Sequence, residues 1–470
     1  MYYMKNAIAL ILLMLLTGCA IGPKYVRPAT QIPKAYKESA DWKVAQPKDS
    51  IMRGAWWKIF NDPRLDALED QVNISNQNIA QAAAQYLESY ALVQAAKSAF
   101  FPTLGTTASV TRSHDSSAGG TSSKSHYAVS ENLLSADVNW SIDLWGKIRR
   151  TMEANSANAQ ASAADLENAR LSAQAQLAQD YFELASLDEQ KKILDDTDVI
   201  YQKFLDLTKN RYASGVAAQT DVLQAQTQLE STEAQSINIG VQRSQLEHAI
   251  AVLIGKPASD FSIAPLTLPN MVPAVPIGFP SELLERRPDI AAAERTVAAA
   301  NALIGAAEAA YYPTLTLSAS ASYGSSDLSR IFSSPNPLWS LGPALAETIF
   351  DAGLRQAQSA QAKAVYDEDV AFYRQTVLTA FQQVEDNLAA LRILEQEEQV
   401  QDTAVMDARK TVTLETNQYK AGTVSALDVI TTQATALTAE KADVTVLGER
   451  LNACVLLIQY LGGGWTAPKQ

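Results

Sequence analysis

From Leu315 to Tyr323 the chain alternates strictly. Leu315, Leu317, Ala319, Ala321 and Tyr323 interleave with Thr316, Ser318, Ser320 and Ser322. A period of two is that of a β-strand with one apolar and one polar face. The pattern also stands earlier, where Val138, Trp140, Ile142 and Leu144 alternate with Asp137, Asn139, Ser141 and Asp143. The Gly/Ser-rich stretch Ser113 to Ser125 and the stretch Gly324 to Pro337 read as loops between strands, so two hairpins are predicted.

Around the hairpins the period is helical. Leu65 to Ala99 and Ser281 to Ala310 read as helices, each ended by an aromatic pair and a proline, which lacks the amide donor and restricts the residue before it. No proline occurs from residue 103 to 256, nor from 344 to 466. Within these spans Leu184, Leu205 and Tyr212 fall on one seven-residue series, and Leu391, Val405, Val412 and Tyr419 on the equivalent series 207 residues later. Lys191, Asp198 and Glu398 interrupt them, so the seams are coiled-coil-like but partly polar. A helix from Gly146 to Ala213 would rise about 100 Å at 1.5 Å per residue, far more than a compact domain needs. Runs such as Gln81 to Gln85 and Gln174 to Gln179 suit tight helix packing and a wettable lumen.

The chain is written twice. Phe100-Phe101-Pro102-Thr103-Leu104 returns as Tyr311-Tyr312-Pro313-Thr314-Leu315, 211 residues on. Asn210, Tyr212, Gly215, Asp221, Val222 and Gln226 return as Asn417, Tyr419, Gly422, Asp428, Val429 and Gln433, 207 residues on. Such self-similarity is the signature of a duplicated structural unit, here helix, hairpin and long helical hairpin. Gly255 to Pro280, rich in proline and without helical period, reads as a linker or a small equatorial packing region between the copies.

Four strands beside very long helices have no second sheet to cover their apolar face. Lipid could cover it, but open sheet edges in lipid leave backbone groups unpaired at several kcal/mol each. Four strands do not close a barrel, the smallest having eight. Closure therefore falls to several chains, and three would supply twelve strands in a closed cyclic assembly.

The N-terminus, with Lys5, an apolar run from Ala7 to Leu16 and then Thr17-Gly18-Cys19, reads as a secretory signal too short to span a bilayer. The pair before Cys19 resembles a bacterial lipobox, which makes Cys19 the acylated first residue of the mature chain. The other cysteine, Cys454, lies in an apolar stretch and reads as packing. With 47% hydrophobic residues, the chain has no second apolar run long enough for a membrane helix. A net charge of −13 argues against nucleic-acid binding. His114, His126 and His248 show no metal-ligand spacing, and nothing resembles a nucleophile constellation or a phosphate-cradling loop, so no cofactor and no enzyme is expected.

Several motifs together resemble the TolC-type outer-membrane efflux factors, in their OprM-like lipoprotein branch. They are Gly22-Pro-Lys-Tyr-Val-Arg-Pro28, Trp56-Trp57 before Asp62-Pro63, Asp143-Leu-Trp-Gly146, Glu285-Arg-Arg-Pro-Asp-Ile290, Tyr312-Pro-Thr-Leu315 and Ile349-Phe-Asp-Ala-Gly353. The resemblance implies an α+β membrane protein, a homotrimer with a twelve-strand barrel in the outer membrane, a twelve-helix α-barrel and a small mixed equatorial domain. It implies an exit duct passing small molecules such as drugs, hence a multidrug-resistance role, with a periplasmic adaptor and an inner-membrane RND pump as partners. Ala20 after Cys19, in place of aspartate, fits sorting to the outer membrane. The same fold serving type I protein secretion, and a nonmembrane periplasmic coiled-coil lipoprotein, remain the alternatives.

On that reading the chain divides into a signal peptide at 1–18, a lipidated and equatorial segment at 19–62, a helix at 63–101, an outer-membrane hairpin at 102–143 and a helical hairpin at 144–254. A linker follows at 255–280, then a helix at 281–311, a second hairpin at 312–350, a second helical hairpin at 351–461 and a tail at 462–470. The helical hairpins turn near 213–218 and 421–426, where Gly215 and Gly422 offer a conformation that other residues avoid. Such turns are by themselves ordinary links between antiparallel helices. The resemblance makes them the periplasmic tip, with Gly215, Val216, Gly422 and Thr423 docking the adaptor. It places Asp428 in a constriction ring, and Thr220, Asp221 and Tyr419 among the residues tying inner to outer helices in the closed state. An aspartate beside a helix start also serves as a cap or dipole partner. Val424 stands where some relatives place a gate arginine, so a salt bridge from that position to Asp221 is unavailable and the closed state is weaker or differently fastened.

Overall fold

The computed structural model describes residues 20–38, 54–114, 128–275, 286–331 and 338–463. The elements run α1 (Pro63–Ser75), α2 (Gln77–Ser98), β1 (Thr103–His114), β2 (Ala128–Ile142), α3 (Lys147–Ala213) and α4 (Gln219–Leu253), then α5 (Pro288–Ala309), β3 (Thr314–Ser325), β4 (Leu338–Ala346), α6 (Leu354–Ala421) and α7 (Ala426–Tyr460). Helix lengths recur between the halves, with 67 residues in α3 against 68 in α6 and 35 in both α4 and α7. No helix among the described residues is long and apolar enough to cross a membrane.

Two compact units emerge. One comprises Met1–Ala29, Gln85–Ser162 and Ala293–Tyr373; the other comprises Thr30–Ala84, Ala163–Ala292 and Arg374–Gln470.

The first unit holds one antiparallel sheet in the order β1-β2-β3-β4. Its register aligns the alternation across strands. Ala319 faces Val138 on one side and Leu341 on the other, and Leu317 faces Trp140 and Pro343. Ser320 faces Asp137 and Ser340, and Ser318 faces Asn139. One face is thus mostly apolar, from Leu104, Ala108 and Val110 of β1 across to Leu341 of β4 with Thr106 and Asn132 as interruptions, and the other mostly carries hydroxyls, amides and carboxylates. The apolar face is bare at the β4 edge, where Trp339 is 77% and Leu341 67% exposed. β1 and β4 are both edges.

The junction motifs seat the strands on their helices. Trp140 Nε1 donates to Phe100 O at 2.9 Å, and Trp145 Nε1 donates to Pro313 O at 2.8 Å while its ring stacks on Tyr312. Asp143 starts α3 by accepting from the backbone N–H of Ile148 and Arg149, and Asp351 accepts from Gly353 and Arg355 before α6.

The Gly22–Arg27 stretch is a strap laid on α5. Arg150 donates to Ile21 O at 3.0 Å and Gly22 O at 3.2 Å, and Asn301 donates to Pro23 O at 3.2 Å. The Tyr25 hydroxyl donates to the buried Glu294 carboxylate, which also pairs with Arg27 and Arg295. Burial and that acceptor push the Tyr25 phenol above its ordinary range. Two backbones meet here, since a Cβ on Gly22 (φ 101°) would lie 2.3 Å from Gly305 Cα. The acylation site read from the sequence, Cys19, lies outside the described residues.

In the second unit, the single helix expected over Leu65 to Ala99 is two helices. Asn76 takes an extended ψ of 124°, and its Oδ1 accepts from the N–H of Asn78 and Ile79, which caps α2. Its amide also donates to Leu253 O at 2.8 Å. The break therefore comes from a polar side chain satisfying backbone groups that a continuous helix would have used. Trp56 is buried and donates to Gln174 at 3.3 Å, and Asp62 caps α1 and accepts from Tyr181 at 2.6 Å. The single helix expected from Ser281 is interrupted, since Arg286 is helical and Arg287 is not, and α5 starts at Pro288; Arg287 forks onto Asp289 at 2.6 and 3.0 Å and reaches Gln383. Among its described residues, 255–275, the stretch expected as a linker carries one short 3-10 turn, Ala258–Asp260.

Candidate functional site

The candidate site lies at the turns α3–α4 and α6–α7 in the second unit. Each long helix ends on a glycine in the left-handed region, Gly215 at φ 71° and Gly422 at φ 82°. In the first turn Gly215 N–H donates to Tyr212 O at 2.9 Å and Val216 N–H to Arg211 O at 2.9 Å. In the second, Gly422 N–H donates to Tyr419 O and Thr423 N–H to Gln418 O, both at 3.0 Å. These paired bonds close the last carbonyls of each helix, and only a residue free to take positive φ allows them cheaply. Val216 points outward, 66% exposed, and Thr423 is exposed with its hydroxyl on Gln418 O.

Both aspartates cap the helices that follow. Asp428 accepts from the Ser425 hydroxyl at 2.7 Å and the Ser425 N–H at 2.9 Å, while its own N–H donates to Ser425 Oγ at 3.3 Å, a reciprocal capping box. Those bonds hold its carboxyl below the ordinary carboxylate range. The capping contribution is present above the unfolded-state value and is lost only as pH falls through the lower folded value, so it persists through neutral and mildly acidic conditions. Asp221 makes half of that arrangement, accepting from Ala218 N–H at 3.2 Å, because alanine offers no side-chain oxygen in return. Among the described residues neither aspartate makes an ion pair. Thr220 and Asp428 are exposed and Asp221 is half-buried.

Tyr419 is buried at 3% exposure, in a core built from all four helix ends with Tyr201, Phe204, Leu229 and Val429. Its hydroxyl sits 3.4 Å from Thr208 Oγ1, and its ring is 5.2 Å from that of Phe204. Arg211 lies over the ring face, 4.6 Å from the centroid, and donates to Tyr419 O at 2.8 Å. The contacts of Tyr419 thus run to Thr208, Phe204 and Arg211, and neither Thr220 nor Asp221 is among the bonds seen on it.

Sequence reading did not single out Arg211. Its signal was present as an asymmetry, since the first copy reads Asn210-Arg211-Tyr212 where the second reads Asn417-Gln418-Tyr419. No group of acidic, histidine or cysteine side chains among the described residues could hold a metal ion.

Comparison with known proteins places this architecture. The family described as outer membrane efflux protein matches residues 68–256 and again 279–463. The chain is 30% identical over 476 residues to the pyoverdine export outer membrane protein OpmQ of Pseudomonas aeruginosa, covering 99% of this chain and 98% of that one. It is 30% identical over 465 residues to the probable efflux pump outer membrane protein TtgC of Pseudomonas putida, covering 96% and 94%. Its fold superposes on the outer-membrane channel OprN with a TM-score of 0.88 at 29% identity, covering 95% of this chain and all of that one.

Proposed function

The chain belongs to the outer membrane efflux protein family, and from that premise we propose a homotrimer whose twelve strands close one barrel. It is an outer-membrane channel, the exit duct of a tripartite efflux system, and a conduit, not an enzyme. That sets aside the periplasmic coiled-coil lipoprotein.

One observation carries the trimer, namely a four-stranded sheet with one mostly apolar face and, among the described residues, both edges open. Lipid can cover the apolar face but not the edges. Because the strands alternate in direction, β4 of one copy can pair with β1 of the next and continue the antiparallel order around a closed ring. The polar face then lines a wet lumen. Two matches of one family along the chain support its reading as two copies of a structural unit.

Cys19 carries the covalent lipid, two residues before Ile21, whose carbonyl accepts from Arg150. The turns form the periplasmic tip. Gly215, Val216, Gly422 and Thr423 receive a periplasmic adaptor, which joins the duct to an inner-membrane RND pump. Asp428, Asp221, Thr220 and Tyr419 belong to the gate, with Asp428 repeated threefold as a carboxylate ring that favours cations. Relatives named for pyoverdine export, antibiotic efflux and toluene efflux are all 30% identical to this chain. Small molecules are the cargo class these names support, and the choice among them belongs to the pump.

Planar-bilayer conductance of the purified, lipidated protein, with its oligomeric state measured in the same detergent, tests the reading. A trimer with small, cation-selective openings is expected; a monomer without conductance would overturn it. Asp428→Ala removes the carboxylate ring and the bond that closes the Ser425 cap, and it is expected to raise single-channel conductance and weaken cation selectivity. Unchanged conductance in intact trimers would remove Asp428 from the gate.

A further inference from the structure

The geometry points to Arg211 as the cation that fastens the two helical hairpins at the closed tip, acting on the ring face and carbonyl of Tyr419 instead of on a carboxylate. This deepens the gated-duct reading and rests on it.

Three observations converge. The first is that Arg211 belongs to both turns at once. Its backbone carbonyl accepts Val216 N–H at 2.9 Å and Ala217 N–H at 3.3 Å, closing the first turn. Its side chain reaches the second, donating to Tyr419 O at 2.8 Å, and that same oxygen accepts Gly422 N–H. A residue pair therefore couples the end of α3 to the end of α6.

The second is the lack of a counter-ion. Among the described residues Arg211 makes no ion pair, and its buried Nε is without a partner. What offsets its desolvation is the Tyr419 ring, 4.6 Å away, since a guanidinium over a buried aromatic face is held more strongly than one in water. The ring is itself fixed, 3% exposed and packed on Phe204.

The third is the broken symmetry of the duplication. The position matching Arg211 in the second copy is Gln418, and Val424 of the second turn packs on the same core as an apolar side chain. One cation thus serves both turns, supplied from the first. Separating the hairpins must pull a guanidinium off an aromatic face.

Full-length trimers in planar bilayers read this directly. Arg211→Met keeps the bulk of the side chain and removes the charge, and it is expected to raise open probability roughly tenfold. Tyr419→Leu should open the channel to a similar degree. Tyr419→Phe keeps the ring and the carbonyl and should stay closed, which a fastening through the hydroxyl would not allow. Retention of the trimer on native gels accompanies each variant, with Arg211→Lys, expected to be intermediate, standing in if Arg211→Met does not assemble. Wild-type conductance in Arg211→Met trimers overturns the proposal, as does opening by Tyr419→Phe. If no form conducts, it is the duct reading that fails. Hydrogen exchange then tests the latch by itself: Arg211→Met must speed exchange at the amides of Gly422 and Thr423, and unchanged rates overturn it.

Discussion

Arginine in place of Ala319 is expected to block assembly, whereas arginine in place of Ser320, one residue on, is not. Ala319 lies mid-strand in β3 between Val138 and Leu341, on the mostly apolar face. If lipid covers that face, an arginine near the bilayer midplane costs about 2–4 kcal/mol, and threefold symmetry repeats the penalty in every copy. Ser320 lies between Asp137 and Ser340 on the other face, its hydroxyl 2.8 Å from that of Ser340. An arginine there meets water and the Asp137 carboxylate, so the trimer should survive while cation selectivity falls. Heat-resistant trimer on a gel and reversal potential in a salt gradient report the two effects. A surviving Ala319→Arg trimer with normal conductance would mean that lipid does not touch this face.

That contrast was legible in the sequence because a strand writes its two faces as a period of two. The long helices were equally legible, since a proline-free span with heptad spacing has few other conformations. Other features were not. The break at Asn76 depends on an amide that caps α2 and reaches Leu253 O, 177 residues away, and asparagine inside an otherwise helical run carries no such signal. The strap motif was visible as a motif, yet its role depends on Glu294, 269 residues beyond Tyr25. The aspartates of the turns illustrate a third case. Their place after each glycine was readable, and so was a capping role, but the choice of Tyr419's partners was made by three-dimensional packing. Thr208 and Arg211 won over Thr220 and Asp221 because they lie on the buried side of α3, facing the end of α6.

Gly305→Ala is expected to destabilise the protein, against the usual effect of that change in a helix. Replacing a mid-helix glycine by alanine ordinarily gains about 0.8–1.0 kcal/mol. In α5, however, the new Cβ would lie 2.7 Å from Ile21 O and 2.8 Å from Arg150 Nε, distances that real Cβ atoms do not show. The obstacle is backbone on one side and a buried, bonded guanidinium on the other, so neither yields cheaply. Lifting the strap would take the Ile21 and Gly22 carbonyls from Arg150, itself only 7% exposed, and Tyr25 from Glu294. Each buried polar group left unmatched costs about 1–3 kcal/mol, and two or more such groups outweigh the helix gain. A net loss of about 2–4 kcal/mol follows. A lowered thermal midpoint should report it, together with new tryptic cleavage after the exposed Lys24, which the docked strap protects. A raised midpoint with the Lys24–Tyr25 bond still resistant would show that strap and helix do not press together. Since the proposed lipid on Cys19 precedes Ile21 by two residues, freeing the strap would loosen the Ile21 N–H from Trp145 O while leaving acylation intact. Palmitate labelling with poor trimer recovery would therefore locate the defect in docking and not in lipidation.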